Sequence, residues 1–229
     1  MKFERLGIIF DWDGVVLDSS SFHEESWKVL AMRHSLTLPE GHFNRGFGMR
    51  NETIIPEVLG WTANPNEIRQ LAEEKEKIYR ELLASNPIEP LPGVRELLLE
   101  LKNNSIPTAV GSSTPRENLE LALKLLNLEA LFSATVSGSD VDRGKPFPDV
   151  FLKAASLIVR NPFECIVLED APVGIEAARQ AGMRCVGVLT TNSSTALKNA
   201  DLIVASLSHL SLNQLAQIRP MGNLSGSCQ

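Results

Sequence analysis

The sequence predicts an α/β protein: a Rossmann-like parallel sheet core with helices on both faces, plus an inserted α-helical cap domain. Three observations predict it. Short apolar runs recur between stretches whose apolar spacing is helical. The alternation breaks once, over residues 18–89, where helical patterns occur without a convincing strand. That stretch ends in Pro87, Pro90, Pro92 and Gly93, which punctuate like a hinge.

Taken in order, Leu6 to Phe10 reads as a buried strand. The cap follows, with one helix face carrying His23, Ser26, Trp27 and Leu30 and another carrying Ile68, Leu71, Ala72, Lys75, Ile78, Tyr79 and Leu82. After the hinge, Val94, Leu97, Leu98 and Leu101 keep the i, i+3, i+4, i+7 spacing of a helix. Strands are expected at Thr108 to Gly111, Thr135 to Ser137, Cys165 to Leu168, Cys185 to Leu189 and Leu202 to Val204. Between them lie the helical faces Leu119, Ala122, Leu123, Leu126 and Phe151, Ala154, Ala155, Ile158. Strand and helix in alternation imply a parallel sheet covered on both faces. The expected division is residues 1–17 and 90–229 for the core and 18–89 for the cap.

The chain has 229 residues, of which 43% are hydrophobic, enough for one core and a small second domain. The net charge of −6 argues against a broad nucleic-acid surface. It is compatible with a phosphorylated substrate, because a bound cation can reverse the local field. Cys165, Cys185 and Cys228 form no CxxC or Cys/His cluster. Buried free thiols and a reducing, cytoplasmic setting are expected, rather than a disulfide framework. The first apolar run is too short, and too soon interrupted by Asp11, for a signal peptide. No run approaches membrane-spanning length. The tail after Pro220 reads as frayed.

Chemistry gathers where strands end. Asp11 and Asp13 follow the first strand, and residues two apart on a strand share a side. Gly14 lets backbone approach a ligand closely. Taken alone, the pair could equally be a solvated turn. Ser112, with Ser113, ends the second strand; Thr114, Pro115 and Glu117 then read as the N-cap, first position and capping-box residue of a helix. A hydroxyl just before a helix N-terminus suits an anion, although shaping the turn would explain both serines. Lys145, in Gly144-Lys145-Pro146, precedes another helix; the flanking residues exclude a phosphate-binding P-loop. Glu169 and Asp170 end the strand at Cys165 to Leu168. Carboxylates there could cap the next helix or bind a hard cation such as magnesium.

These residues together resemble the haloacid dehalogenase-like hydrolase superfamily. Its four motifs correspond to Asp11-x-Asp13-Gly14-Val15, Ser112, Lys145 within Gly144-Lys145-Pro146-x-Pro148-Asp149, and Glu169-Asp170-Ala171-x-x-Gly174. The cap position matches the branch holding beta-phosphoglucomutase and small-metabolite phosphatases. The resemblance implies a magnesium-dependent phosphatase in which Asp11 attacks phosphorus and Asp13 is acid and then base. It implies Mg2+ held by Asp11, Asp170 and the backbone carbonyl of Asp13, with Glu169 in support. Ser112 and Lys145 would hold phosphoryl oxygens. A dehalogenase would need neither Asp13 nor magnesium.

His23 and Lys75 match cap residues that face the active site in beta-phosphoglucomutase. Arg50 stands near the mutase arginine that grips a second phosphate, one residue short in its spacing from Gly48. The segment Gly48-Met49-Arg50-Asn51-Glu52, with Glu57 to Trp61 and Lys75-x-x-x-Tyr79, resembles the plant chloroplast phosphatases acting on 5-amino-6-(5-phospho-D-ribitylamino)uracil. The expected partner is therefore a small phosphorylated metabolite, with no nucleic acid or membrane, for a monomer or weak homodimer. The alternatives are a phosphosugar mutase and, more remotely, a phosphorylation-dependent signalling receiver. A receiver would place its acceptor on a central strand after the acid pair and would lack the inserted helices.

Overall fold

The computed structural model describes residues 5–46 and 48–218. The readings made for the tail after Pro220 and for Cys228 lie outside them. Among the described residues there are six strands: β1 (Gly7–Phe10), β2 (Thr108–Gly111), β3 (Ala134–Val136), β4 (Cys165–Glu169), β5 (Arg184–Val188) and β6 (Leu202–Val204). All neighbours are parallel, in the order β3-β2-β1-β4-β5-β6. β1, β2, β4 and β5 are buried along their whole length, which is why they read as continuous apolar runs. The strands expected at Thr135 and Cys185 each begin one residue earlier.

The helices are α1 (Ser20–His34), α2 (His42–Gly46), α3 (Asn51–Thr53), α4 (Pro65–Ser85), α5 (Val94–Asn103), α6 (Arg116–Leu126), α7 (Asp149–Leu157), α8 (Pro172–Gln180) and α9 (Leu212–Gln217). The apolar face of α5 and α6 (Leu97, Leu98, Leu119, Leu123) joins Ile8 and Phe10 in one core layer. Phe151 and Ala154 of α7 and Ile175 of α8 join Ile9 and Val167 on the opposite face of the sheet. The sheet is therefore sandwiched, as the alternation implies.

The cap has a small core of its own: Trp27, Leu30, Ile54, Ile55, Leu59, Ala72 and Ile78. α4 starts at Pro65, with the Asn64 side chain accepting from the Asn66 N–H. Ile54–Leu59 forms a π-helical turn. Pro56 lies within it and has no N–H to give an α-helical ladder. Gly60, at φ 65°, ends that turn.

One local expectation is corrected. Pro115, not Thr114, is the N-cap of α6, and no side chain caps it. The Thr114 hydroxyl is spent on a carboxylate of the site instead. Cys165 and Cys185 are buried free thiols. Among the described residues, no helix is long and apolar enough to cross a membrane.

Candidate active site

The strand order reverses direction between β1 and β4, and the carboxyl ends of those two strands face one crevice. β1 runs into Asp11, and β4 ends at Glu169 with Asp170 beside it. All three side chains are buried, and each offers an oxygen within 4.8 Å of the others. Lys145 reaches in from the loop before α7. Its Nζ lies 2.7 Å from Asp11 Oδ1 and 2.8 Å from Glu169 Oε2. Glu169 Oε1 accepts from the backbone N–H groups of Asp170 and Ala171 at 3.1 and 3.0 Å. Thr191 donates its hydroxyl to Asp170 Oδ2, and Asn192 donates to the Asp170 carbonyl at 3.0 Å.

Two glycines make this crowding possible. Gly14 has φ 78°, and a Cβ there would collide with the Asp170 carboxylate. A Cβ on Gly174 would collide with the Glu169 carboxylate. Gly14 therefore makes room for Asp170 as well as standing beside the crevice.

Three carboxylates share one lysine. Burial, followed by the Asp11 charge, pushes the Asp170 carboxyl up to about 7. The same causes hold Glu169 well above the usual carboxylate range. Burial acts to lower the Lys145 ammonium, but Asp11 and Glu169 overcome it and hold the group above its ordinary value. An all-oxygen donor set with uncompensated negative charge fits a hard divalent cation such as magnesium.

Asp13 sits in a different environment. Its carboxylate turns away from the cluster and accepts hydroxyls from Ser19 and Thr114. His23 Nε2 lies 3.7 Å from Asp13 Oδ1. Burial pushes this carboxyl up, yet His23, Ser19 and Thr114 outweigh it and bring it to about 2. Ser112 is buried at the end of β2, its hydroxyl donating to Thr114 Oγ1 at 3.0 Å and accepting from the Thr114 N–H at 3.1 Å.

The cap closes over Asp13. A cavity of 340 Å3 is lined by Asp13, Ser113 and Thr114 from the core and by His23, Arg50 and Lys75 from the cap, among others. Asp11 and Lys145 lie outside this lining, so the cavity is the chamber on the cap side of Asp13. Lys75 is buried, its Nζ 2.6 Å from His23 Nδ1 and 2.9 Å from Glu76 Oε1. The His23 ring stacks on Tyr79 with centroids 4.2 Å apart. Arg50 does not point a free guanidinium into the chamber. Its Nη atoms donate to the carbonyls of Asp142, Gly138 and Val141 at 3.2, 3.1 and 3.1 Å, pinning the cap to the loop that leads to Lys145.

Residues 6–182 match the family model for haloacid dehalogenase-like hydrolases. The chain belongs to that family. It is 37% identical over 215 residues to the chloroplastic 5-amino-6-(5-phospho-D-ribitylamino)uracil phosphatase of Arabidopsis thaliana, covering 93% of this chain and 57% of that protein. The chain thus spans little more than half of that relative's length. It is 33% identical to the beta-phosphoglucomutase of Bacillus subtilis, covering 91% of this chain and 92% of that one. The crystal structure of a beta-phosphoglucomutase from Clostridium difficile superposes with a TM-score of 0.80 at 29% identity, covering 91% and 94% of the two chains. Named phosphatases recur among the relatives, and this haloacid dehalogenase-like hydrolase is a phosphoric monoester hydrolase.

Of the strand-end residues singled out in the sequence of this hydrolase, Asp11, Lys145, Glu169 and Asp170 come together in one cluster, and Asp13 and Ser112 are linked to each other through Thr114. The sequence reading did not single out Ser19, Glu76, Asn118, Thr191 or Asn192, and it read Thr114 only as a helix cap. Thr114 had a signal, since it sits two residues after Ser112 at a strand end. Thr191 and Asn192 had only their place after the run Cys185 to Leu189; that they reach Asp170 follows from β4 and β5 being neighbours, a fact that only the folded sheet supplies.

Proposed function

We propose that the chain hydrolyses a small phosphorylated metabolite, of the sugar phosphate or phosphoribitylamino-pyrimidine type, through an aspartyl phosphate on Asp11. The observation that carries this reading is the contrast between two carboxylates two residues apart. Asp11 is paired with Lys145 inside an anionic cluster; Asp13 is surrounded by hydroxyls and His23 and faces the cap chamber. Carboxylates in divergent environments take divergent roles.

In this reading an Asp11 oxygen attacks phosphorus, the phosphorus–oxygen bond to the substrate breaks, and the leaving oxygen takes a proton from Asp13. Asp13 is ionised in the ligand-free site; the arriving phosphate dianion raises its proton affinity and lets it act as an acid. Asp13 then removes a proton from water, which attacks the aspartyl phosphate and frees inorganic phosphate. Ser112, Lys145, Ser113 and the backbone at Gly14 hold phosphoryl oxygens, and Lys145 offsets the charge on Asp11. Mg2+, held by Asp11, Asp170 and the Asp13 carbonyl with Glu169 in support, would neutralise phosphoryl charge. His23, Arg50 and Lys75 close the chamber around the remainder of the substrate.

The cap favours a monophosphate over a bisphosphate. Lys75 is already engaged by His23 and Glu76, and the Nη groups of Arg50 by backbone carbonyls. A mutase must hold a second phosphate while its substrate turns round. A panel of phosphorylated metabolites, assayed by phosphate release for the wild type and Asp11→Asn, tests the reading. Release by the wild type alone is expected. A hexose 1-phosphate converted to its 6-phosphate isomer without phosphate release would overturn it in favour of the mutase.

A further inference from the structure

Glu76 belongs to none of the motifs above, yet it is a buried carboxylate on α4 with three donors. Oε1 accepts from Asn51 Nδ2 at 2.6 Å and from Lys75 Nζ at 2.9 Å. Oε2 accepts from Asn118 Nδ2. Asn118 is fully buried on α6, in the core, and its Oδ1 accepts from Arg80 Nη1 at 2.8 Å. Glu76 is therefore a cap residue docked on the core helix that follows the Ser112–Thr114 loop.

The chain of contacts continues toward Asp13. A lysine ammonium has donors and no acceptor, so His23 Nδ1 must accept from Lys75. The ring proton then sits on Nε2, the nitrogen that faces Asp13. Glu76 balances the Lys75 charge and orients its ammonium. Tyr79, stacked on the imidazole, limits the ring to this plane.

We infer that Glu76 is a positioning residue: by docking on Asn118 it seats Lys75, fixes the His23 tautomer, and so aligns Asp13 for proton transfer only when the cap is closed on α6. This inference rests on the acid role given to Asp13 above. It makes proton donation conditional on cap closure, which keeps the reaction from starting in an open, wet site.

The test compares phenyl, p-nitrophenyl and 2,4-dinitrophenyl phosphate, which are close in size and differ in how much their leaving group needs a proton. For Glu76→Gln, kcat/KM on phenyl phosphate, which reports the steps up to loss of the leaving group and not the later attack of water, should fall by about tenfold, a fraction of what acid–base catalysis supplies. On the same measure the 2,4-dinitrophenyl ester should be almost unaffected. Asn118→Ala, which leaves the Lys75–Glu76 pair in place, should show the same graded pattern more weakly. Glu76→Asp should restore part of the loss. Asp13→Asn, read by the same kcat/KM, is the reference. If it shows the graded loss and the Glu76 and Asn118 variants do not, the inference falls and the acid role stands. If Asp13→Asn loses all three esters equally, the acid role falls and the inference falls with it. An equal loss on all esters in the Glu76 and Asn118 variants marks a merely structural residue and overturns the inference.

Discussion

Single atoms decide whether the anionic cluster can exist. Gly174 is the clearest case, because a Cβ there would occupy the place of the Glu169 carboxylate. Gly174→Ala should push Glu169 off Lys145, destabilise the protein by about 1–3 kcal/mol as overpacking does, and remove most of the activity. Thermal melts and phosphate release check both. Thr114→Val keeps shape and removes the hydroxyl that Asp13 accepts. Hydrogen bonds to charged groups contribute about 1.5–3 kcal/mol, so a fall in kcat of roughly tenfold to a hundredfold is expected. Unchanged kcat would show that Thr114 does nothing for Asp13. Asp11→Asn should leave the melting temperature within a few degrees and reduce turnover to background, read by circular dichroism and phosphate release.

At the scale of elements, the cap is tied to the core by α4 on α6, and Glu76 forms that joint. The groups facing it are Lys75 and His23, with Arg80 beyond Asn118 and Asp13 beyond His23. Burial alone would raise the Glu76 carboxyl, but the Lys75 charge and the bonds from Asn51 and Lys75 bring it below its ordinary value. A group with a lowered folded pKa contributes stability that is complete above its unfolded pKa and is lost as pH falls through the folded one. Glu76→Gln should cost about 3–5 kcal/mol near neutral pH, as breaking a buried pair does. The gap to wild type should close on acidification below the ordinary value of 4.5. Melts from pH 7 to pH 3.5 check this; a gap that widened in acid would contradict it. The same joint shows what the sequence could and could not tell. β2 was legible residue for residue because a strand buried on both faces leaves an uninterrupted apolar run, and β6 because its three residues are all apolar, although it is only partly buried at the sheet edge. Asp11, Ser112, Lys145 and Asp170 were legible because each follows such a run or precedes a helix. Glu76 looked like one more charge in a charged helix, since its burial depends on Asn118, 42 positions away. Arg50 was legible as a cap cation, but its backbone carbonyl partners lie about 90 positions on, where no local pattern points to them.

For the whole molecule, the sheet places three buried carboxylates around one lysine at the ends of its central strands, so the fold carries a repulsion that a bound cation would relieve. Adding magnesium should therefore stabilise the entire chain. At a hundred times its dissociation constant a ligand contributes about 2.7 kcal/mol, which for a domain of this size is a rise in Tm of roughly 5–10 °C. Chelation should reverse both the shift and the activity, and magnesium should restore them. Asp170→Asn separates repulsion from binding. In chelator it should melt higher than wild type, because burial and Asp11 already press that carboxyl up to about 7. In magnesium it should show little shift and little turnover. The same carboxylate would then weaken the apo fold and be required for function, and the sign of the change in chelator is decisive: a lower Tm there would mean that Asp170, through Thr191 and Asn192, holds the sheet edge together more than its charge strains it.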